Sequence, residues 1–134
     1  MKRLQLLWGG LIVTGFLLTG VYMQSVVDPE SELLMMRMSF RANHIYLLMS
    51  GLVVIVWAQR ALLNELFICL WMNRIASFLI VVAPVFFSIA FAFEAGVVDS
   101  DRMWTFCGVI VLFAGVMLSF LVTVIEFLVG DNRD

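Results

Sequence analysis

The stretch MWTFCGVIVLFAGVMLSFLVTVIEFLV, residues 103–129, decides the fold. It holds one charged side chain, Glu126, in about 27 residues, more than the ~20 that carry a helix across a ~30 Å hydrocarbon core. Three further apolar stretches approach that length, at about 4–23, 42–58 and 75–95. The expected fold is all-α: a membrane four-helix bundle, with residues 1–134 forming one transmembrane domain. Composition agrees. The chain is 63% hydrophobic and 13% charged, with mean hydropathy +1.07, whereas soluble domains are ~45–50% apolar and ~25% charged. A net charge of −2 lacks the basic footprint that nucleic acid requires.

The connections carry the remaining polarity. Asp28-Pro29-Glu30 reads as a helix start, with Asp28 as cap and Pro29 at the first helical position. The following Leu33–Arg41 suits a short helix lying in the interface, or one running directly into the second span. Residues 59–74 pose the same choice: an interfacial helix, or an upstream extension of the third span. One or two short interfacial helices are therefore expected. Met1-Lys2-Arg3 before an apolar run imitates a signal peptide. The run is too long for an h-region and no A-x-A site follows, so an uncleaved first span is expected.

Small residues mark the packing faces. In the first span Gly10/Thr14 and Gly15/Thr19 lie four apart, a spacing that lets two membrane helices approach closely. Ala76, Ala83 and Ala90 recur every seven residues in the third span, and Gly108 and Gly115 do so in the fourth. Pro84 is expected to kink the third span. Cys69 and Cys107 lie in different segments without a CxxC partner and read as small hydrophobes.

With four spans, both termini and the middle connection share a side. That side holds Lys2, Arg3, Arg60, Arg74 and Arg133, against Arg37, Arg41 and Arg102 opposite. The positive-inside rule places both termini in the cytoplasm.

Charged groups near membrane depth are functional candidates by default. Glu94 closes the third span at its outer end, level with Arg41 and His44, and Arg37, Arg41 and His44 fall on one helical face. Arg37, Arg41, His44 and Glu94 thus form an expected outer cluster. As a site it would suit a phosphate headgroup, quinone or carboxylate; as structure it would register helices. Glu126, near the inner end, has Arg74 and Arg60 at its depth. Other chemistries find no support. His44 is the sole histidine, so neither a bis-histidine haem nor a nucleophilic triad can be assembled around a second one. No clustered metal ligands occur, and no catalytic residue, metal or cofactor is assigned.

Two stretches, RMSFRANHIYLLMS at 37–50 and IASFLIVVAPVFFSIAFAFE at 75–94, resemble a group of small uncharacterised four-span bacterial inner-membrane proteins. The resemblance rests on Arg41, His44, Ile45, Tyr46, Leu47 and Leu48, then on Ala83, Pro84 and Glu94. It implies a bacterial inner membrane and no activity. The leading expectation is a non-enzymatic accessory subunit or lipid-associated structural component. Its partners would be membrane lipids, with another membrane protein or a second copy as further candidates. The alternatives are a small oligomeric transporter or channel, and a quinone- or lipid-binding enzyme subunit.

Overall fold

A computed structural model describes residues 2–26, 34–59, 67–94 and 102–130. They form four helices: α1 (Lys2–Val26), α2 (Leu34–Gln59), α3 (Phe67–Phe93) and α4 (Met103–Gly130). All four contain segments long and apolar enough to cross a membrane, so the chain is a multi-pass α-helical membrane protein. At 1.5 Å per residue each helix is roughly 38–42 Å long, enough to emerge from the hydrocarbon at both ends. No separate interfacial helix stands among the described residues. Residues 34–41 are the first turns of α2, and residues 67–74 the first turns of α3. In both places a polar start continues into an apolar run without a glycine or proline to break it. The Asp28-Pro29-Glu30 start lies outside the described residues.

The helices pair in chain order. α1 packs on α2 and α3 on α4, the two hairpins meet chiefly through α2 and α3, and α1 touches α3 lightly. Ile12, Leu47, Ala83 and Phe87 form the buried centre. Ala76, Ala83 and Ala90 are each fully covered. α4 packs closely on α3 at two glycines. A Cβ on Gly108 would stand 2.8 Å from the Phe87 ring, and one on Gly115 would stand 2.9 Å from Ile80 Cγ1. The opposite face of α4 carries Phe106, Phe113, Phe120 and Phe127, all more than half exposed, as a lipid-facing stripe.

The α1 contact differs from the sequence expectation. Gly10 and Gly15 have nothing within 4 Å of where a Cβ would stand. The close approach to α2 occurs instead at Gly9, whose Cβ would lie 2.6 Å from Ile55 Cγ1 and 3.2 Å from Gly51 O, and at Gly20, 3.2 Å from the His44 ring. The rotation of α1 follows its larger side chains. Ile12 is buried, and Trp8 and Phe16 pack against the core, so Gly9 and Gly20 fall on their face and Gly10 turns outward.

α3 continues helically through buried Pro84. Proline has no N–H for the carbonyl four residues back, that of Ile80. At the neighbouring carbonyl, Val81 O, the Trp8 indole donates a hydrogen bond of 3.0 Å. One turn lower, Gln5 Nε2 donates to Ser77 Oγ. These two bonds set the height of α1 against α3, where few other contacts do.

Candidate functional site

The most polar buried constellation lies at the end of the bundle where α3 finishes and α4 begins. Arg102, the residue before Met103, has φ 48° and an exposed side chain. Its carbonyl accepts the first intrahelical bond, from Phe106 N at 3.0 Å. That makes Trp104 and Thr105 the second and third helical residues, whose N–H groups have no partner within the helix. Glu94 supplies one. Its Oε1 accepts from Trp104 N, and its Oε2 accepts from Thr105 N at 3.0 Å and from Thr105 Oγ1 at 2.7 Å. The carboxylate of α3 is thus the N-cap of α4, and the helix dipole favours negative charge there.

Thr105 extends the constellation to α2, because its Oγ1 lies 3.1 Å from the Asn43 amide oxygen. The hydroxyl has one proton. Donated to Glu94, it leaves Thr105 Oγ1 able only to accept. The two ends of an amide are nearly isosteric, and Nδ2 of Asn43 otherwise has no acceptor. The arrangement that serves all three groups therefore has the amide NH2 turned toward Thr105. Asn43 is fully buried, Glu94 is 5% exposed and Thr105 9%. Three helices, α2, α3 and α4, are joined here by one chain of hydrogen bonds.

The outer cluster expected from sequence is therefore differently composed. Arg41 is exposed. His44 faces α1, where its ring stacks on Phe16 with centroids 4.0 Å apart and Nδ1 lies 2.9 Å from Thr19 Oγ1. Thr19 also donates to Phe16 O at 2.9 Å. With that proton committed, His44 Nδ1 is the donor of its pair. Arg37 is partly buried at the start of α2. Neighbouring residues of α2 thus serve two contacts, Asn43 toward α4 and His44 toward α1. An aromatic collar surrounds them: Phe91 meets Phe40 at 5.6 Å and Tyr22 at 6.5 Å, and Tyr46 stacks on Phe87 at 5.4 Å.

At the other end Glu126 is buried. Arg74 is exposed, with its guanidinium 5.8 Å from the centre of the Trp71 ring; Arg60 lies outside the described residues. Both cysteines are free thiols, and no group of three or more His, Cys, Asp or Glu capable of holding a metal occurs among the described residues.

Sequence reasoning missed Thr105 and gave Asn43 no role. One signal was present: an acid, Glu94, closes the third span one short connection before the start of the fourth.

Fold and constellation define a class, a four-helix multi-pass membrane protein with an interhelical polar tie. Comparison with protein-family models, curated proteins and solved structures returns no match.

Proposed function

We propose that the chain is a non-enzymatic component of a bacterial inner membrane, an accessory subunit or lipid-associated structural protein. The observation that carries this reading is the use made of Glu94. A carboxylate at membrane depth is a functional candidate, but this one accepts from two backbone N–H groups and a hydroxyl of the next helix. Its chemistry is that of a helix cap. His44, the other candidate group, is held by Thr19 and Phe16. The polar tie and the Gln5–Ser77 pair lie toward opposite ends, with Ile12, Leu47, Ala83 and Phe87 packed between. This favours a binding or structural role over a polar conduction path.

The outward face of α1 suits a protein partner. Gly10 is open, with Thr14 Oγ1 folded back on Gly10 O at 2.9 Å, and small residues four apart favour close helix contact. Affinity purification in mild detergent tests this with wild type and Gly10→Leu. The expected result is a stoichiometric membrane partner, or a second copy, retained by wild type and lost in the variant. Turnover in reconstituted vesicles that Glu94→Gln abolishes at full folded level would contradict the reading.

The orientation proposed has both termini cytoplasmic, from the basic residues Lys2 and Arg3 leading α1. A fluorescent-protein fusion after Asp134 should be bright and an alkaline phosphatase fusion there inactive. The reverse pattern would invert the assignment.

A further inference from the structure

A groove of about 660 Å³ opens between α1 and α3 at the end of the bundle that carries the start of α1. We infer that it holds one anionic phospholipid, with the phosphate between Lys2 and Arg74 and an acyl chain along α1 and α3. This goes beyond the reading above by naming a ligand class and its place, and it holds with or without a protein partner.

The groove is graded in the order of a phospholipid. α1 and α3 run parallel, and two bonds fix their register: Gln5 to Ser77, and Trp8 to Val81. Lys2 is three residues before Gln5, and Arg74 three before Ser77. Both cations therefore stand in one layer, roughly 4.5 Å along the axis toward the membrane surface. Arg74 sits over Trp71, and tryptophan favours headgroup level. Asn73 lines the groove beside the cations. An anionic phosphate would meet both cations, Lys2 and Arg74.

The next layer is the Gln5–Ser77 pair. Gln5 Nε2 gives one proton to Ser77, and its second N–H remains for an ester carbonyl. Beyond it the wall is apolar, with Phe78 and Val81, and Trp57 and Ala58 of α2 flank the groove. Polarity thus falls from cation to amide to hydrocarbon within about two helical turns. The second groove, between α2 and α4, is lined by no charged residue and shows no such gradient.

The test is native mass spectrometry of the protein released from nanodiscs of equal parts phosphatidylglycerol and phosphatidylcholine. Wild type should retain one phosphatidylglycerol in preference to phosphatidylcholine. A basic side chain near the surface is worth about fivefold in binding an anionic lipid. Lys2→Gln and Arg74→Gln should each lower the preference by about that factor, and the pair by more. Arg3→Gln removes an exposed charge of the same region that does not line the groove, and should leave the preference largely intact. Lys2 and Arg74 are exposed, so their variants should keep wild-type helicity by circular dichroism. No preference in wild type, or an equal loss in Arg3→Gln, would overturn the proposal. A variant that loses the lipid but keeps its co-purifying partner would separate this site from the subunit reading.

Discussion

Replacing Glu94 with alanine is expected to destabilise the bundle by about 2–4 kcal/mol, read by unfolding in mixed detergent and SDS micelles. Loss of a helix cap costs about 0.5–2 kcal/mol. A buried polar group left without its partner adds about 1–3 kcal/mol. Both apply, because Trp104 N and Thr105 N lose their acceptor while the Thr105 hydroxyl and Asn43 amide lose the anchor of their chain. Glu94→Gln keeps one acceptor oxygen but brings an NH2 against a second donor, so its cost should lie between wild type and alanine. Arg41→Ala, at an exposed position, should change stability by less than about 0.5 kcal/mol. If Arg41→Ala were as damaging as Glu94→Ala, the carboxylate would have its main partner on α2.

Adjacent glycines of α1 should respond very unequally to the same substitution. Gly9→Leu is expected to cost about 3 kcal/mol or more, at the upper end of overpacking effects. Its Cβ alone would stand 2.6 Å from Ile55 Cγ1 and 3.2 Å from the Gly51 carbonyl oxygen. Ile55 can shift, but the backbone oxygen moves only with α2. Gly10→Leu meets nothing within 4 Å and should stay within about 0.5 kcal/mol of wild type. The same measurement on both variants decides which face of α1 is inside. A larger loss for Gly10→Leu would rotate α1 and restore the packing face expected from sequence.

Four apolar runs of membrane length were legible in the sequence because the hydrocarbon core imposes length and polarity together. Gly108 and Gly115 were legible as packing positions because small residues seven apart share one helix face, and both do meet α3 closely. The face of α1 was not. Its outward residues, Leu4, Leu7, Leu11 and Leu18, are as apolar as its buried Ile12, and lipid removes the polar contrast that would mark an outside. Gly9 and Gly10 then differ only by about 100° of helix rotation, which Trp8, Ile12 and Phe16 determine.

Glu94 was legible as a group needing a partner at the outer end, but the choice of partner was not. Depth follows from distance along a span, whereas the direction in which a side chain points follows from packing. Depth alone favoured Arg41 as the nearest cation. The tight approach of α3 and α4, permitted by Gly108 and Gly115, instead brings the open N-terminus of α4 to the carboxylate. At 34–41 and 67–74 the second alternative holds, helices that run directly into the spans, because polarity there reports emergence from the bilayer and a continuous helix emerges as readily as a separate one.

The central claim is that the buried acid ties α3 to α4. A double-mutant cycle of Glu94→Ala with Thr105→Val, read by SDS titration, tests it most directly. The account predicts a coupling of about 1–2 kcal/mol, near the upper range for hydrogen bonds between membrane helices, and a coupling near zero in the parallel cycle with Arg41→Ala. Independence of Glu94 and Thr105 together with strong coupling to Arg41 would contradict it.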